Sequence, residues 1–181
     1  MKNILLIIAL MLSVSVSYAQ DTTYYQNGII KEVGKLNDNG QKQGVWKFYK
    51  ANGSLEKSID YLNGLGFWWK YFYENGQIES EGSYNLENEK TEEWKYYNQD
   101  GVLIKKGSFL NGKYHGKWEY FYDNGKLLKS GEFKDNQQTG EWKVYHSNGF
   151  LKMSGKFENG EPVGEWKVYD EFGFYLKTIS N

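Results

Sequence analysis

From Gln20 onward, apolar and polar residues alternate in short bursts that are interrupted by glycine. In Gly140-Glu141-Trp142-Lys143-Val144-Tyr145-His146 they roughly alternate ahead of Ser147-Asn148-Gly149. Asn-Gly next to such a run is the strongest short hairpin signal a sequence carries. After the turn, Leu151, Met153, Gly155 and Phe157 share one strand face, because successive side chains of a strand point to opposite sides. Asn159-Gly160 then turns the chain again. One unit is therefore two short antiparallel strands and two turns.

The unit repeats. Trp46, Trp69, Trp94, Trp118, Trp142 and Trp166 are spaced by 23, 25, 24, 24 and 24 residues, and each is followed seven positions later by a glycine, from Gly53 to Gly173. Gln26-Asn27-Gly28 is a further turn of the same kind without its tryptophan. Leu55, Ile78, Leu103, Leu127 and Leu151 stand two residues past the turn glycine, and Tyr61, Tyr84, Phe109, Phe133 and Phe157 stand eight past it. Between them lie Gly82, Gly107, Gly131 and Gly155. A glycine inside a strand marks either a close approach, here a neighbouring Trp lying flat across the backbone, or a β-bulge.

A lone hairpin of this size buries too little to offset its ordering entropy, so units must stack. The spacing predicts an all-β array of about seven 24-residue hairpins in an elongated antiparallel meander or solenoid. It covers residues 20–181, with a partial N-terminal unit at 20–43 and a C-terminal cap strand at 174–181. Two irregularities stand out. Ile59 replaces the second-strand glycine in the unit that leads to Gly66-Phe67-Trp68-Trp69. The acidic stretch Leu86 to Glu93 lacks both expected glycines and reads either as a wider loop for a cation or basic partner, or as a drifted, solvated turn.

The first 19 residues break the pattern. Lys2, an apolar run from Ile4 to Val16 and Ser17-Tyr18-Ala19 have the order of a secretory signal peptide. Cleavage after Ala19 would send the chain to the periplasm, the outer-membrane surface or the exterior; an uncleaved anchor is the alternative. The absence of cysteine excludes disulfides, thiol chemistry and a lipidated-cysteine anchor. Without residues 1–19 the balance is 21 lysines against 23 acids, and no arginine is present. Neither a nucleic-acid footprint nor a polybasic membrane patch is implied.

The phrase Asn-Gly-x-Leu, then Gly-x-Phe, then Asn-Gly-x-x-x-Gly-x-Trp resembles the bacterial variant of the MORN repeat. Asn111-Gly112-Lys113-Tyr114-His115-Gly116-Lys117-Trp118 and Asn159-Gly160-Glu161-Pro162-Val163-Gly164-Glu165-Trp166 carry it most fully. The resemblance spans roughly Tyr24 to Asn181. It implies binding or assembly modules, in proteins commonly labelled YwqK-like antitoxins of toxin–antitoxin systems.

Residues for catalysis do not assemble in the sequence. His115 and His146 read as exposed turn histidines, and Glu141 and Glu165 recur only because Gly-Glu-Trp recurs. No phosphate-cradling glycine motif is present, and no cofactor or metal is expected. A surface remains. Tyr49, Phe72, Tyr97, Phe121, Tyr145 and Tyr169 stand three positions past each Trp, on the opposite face by strand parity. Beside them run Lys47, Lys70, Lys95, Glu119, Lys143 and Lys167. This column is either a second packing face or the binding surface of a non-catalytic exported scaffold whose partner is another protein. An antitoxin-like role against a partner toxin and a glycan- or membrane-surface-binding module are the other readings.

Overall fold

The computed structural model describes residues 20–180. The expected leader, residues 1–19, lies outside the described residues. Fourteen strands follow one another: β1 (Gln20–Tyr24), β2 (Ile30–Leu36), β3 (Lys42–Tyr49), β4 (Leu55–Leu62), β5 (Leu65–Phe72), β6 (Ile78–Tyr84), β7 (Lys90–Tyr97), β8 (Leu103–Leu110), β9 (Lys113–Phe121), β10 (Leu127–Lys134), β11 (Gln137–Tyr145), β12 (Leu151–Glu158), β13 (Glu161–Tyr169) and β14 (Tyr175–Ser180). They form one open antiparallel meander in which spatial order equals chain order. β1 and β14 are the two edges.

One rim uses a single turn design throughout, and the other mixes that design, at 37–41 and 85–89, with two-residue turns. Along one rim every connection repeats a single design: the Gly28 N–H donates to the Tyr25 carbonyl (3.0 Å) and the Tyr25 N–H to the Ile29 carbonyl (2.8 Å), with the same pair of bonds in each later hairpin. This is a type I turn closed by a glycine in the left-handed region, at φ 81° for Gly28. The other rim has two-residue turns at Asn63-Gly64, Asn111-Gly112, Asp135-Asn136 and Asn159-Gly160, where both φ angles are positive. Such turns match the strand twist and suit Asn, Asp and Gly.

Leu86 to Glu93 is a tight turn that runs directly into β7 rather than a wider loop. Asn88 takes φ 60° in place of a glycine, and the Asn85 side-chain oxygen accepts from the Glu87 N–H (3.1 Å) and the Glu89 N–H (2.9 Å). Glu92 holds φ 58° at the position where Gly44, Gly116, Gly140 and Gly164 hold φ between 63° and 67°.

Both readings of the strand glycine are present, on facing strands. A Cβ added to Gly34, Gly82, Gly107, Gly131 or Gly155 would lie only 2.2–2.4 Å from the nearest atom of Trp46, Trp94, Trp118, Trp142 or Trp166, respectively, so each indole lies flat on its glycine. Opposite, the Trp strand bulges. Ser130 pairs with Lys143 and Glu132 with Thr139, two steps along β10 against four along β11. The bulge takes the carbonyl after the glycine out of the ladder, and the indole N–H satisfies it: Trp46 donates to Lys35 (2.8 Å), Trp94 to Ser83 (2.9 Å), Trp118 to Ser108 (2.9 Å) and Trp142 to Glu132 (3.2 Å).

Stacking is carried by phenylalanines set edge-on between consecutive indoles. Phe109 meets Trp94 at 6.4 Å and Trp118 at 5.2 Å, and Phe133 and Phe157 bridge the next two pairs in the same way. Edge-to-face geometry is the favourable arrangement of aromatic quadrupoles. Ile59 is the exception that explains its unit. It is buried in the glycine position, its Cγ2 stands 2.7 Å from where a Cβ of Gly66 would be, and the bulge shrinks so that Asp60 and Tyr61 face Trp68 and Gly66. Trp69 Nε1 is buried there without a hydrogen-bond partner.

Candidate binding surfaces

The sequence-derived column closes the odd-numbered strands. Tyr49, Phe72, Tyr97, Phe121, Tyr145 and Tyr169 are all half-buried. Each pairs with the first residue of the next strand, as in Tyr97 with Leu103 and Tyr145 with Leu151, just past a register shift. The Tyr97 hydroxyl donates to Glu81 (2.8 Å), which also meets Lys70 at 3.4 Å. Burial works to raise the Glu81 carboxyl, but Tyr97 and Lys70 together outweigh it and hold the group below the usual carboxylate range. Lys117 and Lys106 likewise lower Glu119 against its desolvation. The stripe beside the column is thus partly neutralised within the sheet, at Lys70, Lys95 and Lys143, and its Glu119 is paired with Lys106.

Sequence reasoning passed over the ladder that ties these units together along the rim. Tyr25, Tyr73 and Tyr122 donate their hydroxyls to the carbonyls of Tyr49 (2.7 Å), Tyr97 (2.8 Å) and Tyr145 (2.7 Å). The turn asparagines Asn27, Asn75, Asn124 and Asn148 reach the backbone of the following turn at 2.7–3.0 Å. The signal was a Tyr or His at the fourth position past the Trp register, visible in the same periodicity. His146 belongs to this ladder, its Nε2 standing 3.1 Å from the Tyr169 carbonyl; a carbonyl only accepts, so the Nε2–H tautomer makes the bond. His115 lies within β9, half-buried, with Nδ1 buried and unpartnered. Neither histidine is fully exposed: His115 is a strand residue, and His146 opens its turn but is held half-buried against the Tyr169 carbonyl of the next turn. Among the described residues no group of three or more His, Asp or Glu is placed to hold a metal ion.

On the Trp face a row runs across the sheet through Phe48, Lys57, Tyr71, Ser80, Tyr96, Lys105, Tyr120, Lys129, Val144, Met153, Val168 and Lys177, neighbours being paired strand to strand. In its first two thirds ammonium groups alternate with rings except at Ser80, as in Lys105 over Tyr96 (4.3 Å) and Lys129 over Tyr120 (4.5 Å). Desolvation pushes the Tyr120 hydroxyl up to about 12, so these phenols stay neutral. Desolvation also lowers Lys90, whose ammonium lies over Trp94 at 4.0 Å and Tyr96 at 5.0 Å.

In the last third the side chains shrink. Val144 and Val168 replace the tyrosines, Met153 replaces the lysine, and Gln138 and Pro162 stand where Lys42 and Lys90 cover earlier tryptophans. The result is a groove of about 460 Å³ lined by Lys129, Gln138, Trp142, Val144, Met153, Phe157, Pro162, Trp166 and Ile179. Its chemistry is apolar walls with one ammonium and one amide, a pattern suited to an apolar side chain next to a carbonyl or carboxylate.

No curated protein matches the chain. The sequence profile of the MORN repeat variant matches residues 42–63, 69–86, 93–111, 114–135 and 138–160, each a segment of the meander. MORN repeats generally mediate protein or membrane interactions. With more than half of its length matched in five successive repeats that follow the sheet order, this chain belongs to the MORN repeat variant family.

Proposed function

We propose that the protein is an exported, non-catalytic scaffold that binds another protein through the groove at its C-terminal third. The observation that carries this reading is the replacement of the tyrosine and lysine row by Val144, Met153 and Val168, which opens an apolar cavity where preceding units carry rings and ammonium groups. The order of Lys2, the apolar run and Ala19 supports export. The perturbed groups are packed tyrosines, ion-paired side chains and a lysine over aromatic rings, a pattern of structural rather than catalytic tuning.

The test compares proteins retained from the cell envelope by the wild type, by Val144→Tyr, which refills the groove with the residue found at Tyr120, and by Tyr97→Ala in the column. A partner kept by Tyr97→Ala and lost by Val144→Tyr supports the groove. The reverse pattern moves the site to the column. Retention of the protein on cell-wall polysaccharide or anionic vesicles, with no protein captured, overturns the proposal.

A further inference from the structure

Each unit of the array makes contacts to the unit after it that are fixed by register, and the last unit leaves them unmade. At four of the six internal junctions the residue after a turn glycine packs on the next turn glycine: Ile29 lies 3.8 Å from a Cβ placed on Gly53, Gln77 3.1 Å from one on Gly101, Lys126 3.9 Å from one on Gly149 and Phe150 3.2 Å from one on Gly173. The equivalent residue in the final hairpin, Phe174, is 70% exposed. At the other end of the sheet nothing lies within 4 Å of a Cβ placed on Gly28, as is also the case at the internal Gly76 and Gly125.

The charged row ends in the same complementary fashion. A lysine two positions before the strand glycine reaches the residue in the Trp position of the next unit, as Lys57 does to Trp69 (5.5 Å) and Lys129 to Trp142 (6.0 Å). Lys177 occupies that lysine position on the exposed edge strand β14. The Trp position of the first unit is held by Asp21, paired with Gly34 as Trp94 is with Gly107. Ile179 fills the glycine position of β14 and denies a flat seat to an indole, whereas β1 offers an aspartate there.

We infer that the β14 edge is an interaction surface for a second copy of this chain, which docks its β1 edge in the register of a following repeat. Phe174 covers Gly28 of the second copy and Lys177 meets Asp21 of the second copy. A strand edge offers unpaired backbone groups for such addition. The contact uses two different patches, so it is heterologous and grows into an open series rather than a closed dimer. It lies beside the proposed partner groove and stands independently of it.

Sedimentation velocity of the purified protein over a concentration series tests this. The expected result is a mass that rises progressively past the dimer. Phe174→Asp and Lys177→Glu each weaken association by at least about tenfold, and Asp21→Lys restores it in the Lys177→Glu background, because every junction then pairs the reversed charges. Far-ultraviolet circular dichroism unchanged in these variants assigns the loss to the surface rather than to unfolding. A monomer at all concentrations, or a discrete dimer whose Lys177→Glu defect Asp21→Lys leaves unrepaired, overturns the inference, the second outcome indicating β14 pairing with β14.

Discussion

The indole of Trp118 lies on the backbone of Gly107, its Cδ2 atom 2.2 Å from where a Cβ would stand. A methyl group there must lift a fully buried ring and break its bond to the Ser108 carbonyl. Gly107→Ala is therefore expected to cost about 2–3 kcal/mol, an overpacking penalty close to that of deleting a core side chain. Ser108→Ala, which leaves the carbonyl in place, is expected to stay within about 0.5 kcal/mol. Urea titrations followed by tryptophan fluorescence compare the two, and equal effects would mean that the ring does not rest on the glycine.

Glu92 carries a side chain in the left-handed backbone region where four other units have glycine. Glu92→Gly is expected to stabilise the array by about 1 kcal/mol by relieving this conformation. A lower urea midpoint for the variant would show that the glutamate side chain makes a compensating contact.

Glu81 and Glu119 have folded-state carboxyl pKa values below those of an unfolded chain. The sign follows from linkage: their contribution is complete above the unfolded value of about 4.3 and is lost as pH falls through the lower folded value. Stability is expected to drop as pH falls below the unfolded carboxylate value of about 4.3. The drop should be shallower in the Glu81→Gln, Glu119→Gln double variant, as read from urea midpoints at each pH. Parallel pH profiles would assign the acid sensitivity to other carboxylates.

Tyr122 links consecutive turns by donating to the Tyr145 carbonyl. Tyr122→Phe keeps the ring and removes only the bond, so a loss of about 1 kcal/mol is expected, with faster hydrogen exchange in the turn His146 to Phe150. Unaltered exchange there would show that this turn is held by its own hydrogen bonds alone.

The repeat, the hairpins, the buried Trp and the meander were legible in the sequence, because strand parity and turn chemistry are local and a 24-residue period multiplies each weak signal. Trp118 and Trp142 could be assigned to the core on that ground alone. The sequence also showed that Ile59 and the segment Leu86 to Glu93 depart from the pattern, without showing how the backbone absorbs them. Asn88 and Glu92 adopt glycine-like φ values there, and Ile59 fills the glycine position with a narrower bulge beside it.

What only the tertiary structure decided is which residues meet across strands. The bulge facing each strand glycine, the Tyr25 and Asn27 type of ladder, and the pairing of Val144 with Met153 and of Met153 with Val168 all depend on register between strands. A one-residue slip moves a side chain to the other face, so parity along one strand cannot identify its neighbours on the next. The groove is the plainest case: Val144, Met153, Phe157 and Ile179 are ordinary apolar residues in four separate strands, and only their alignment on one face makes a cavity.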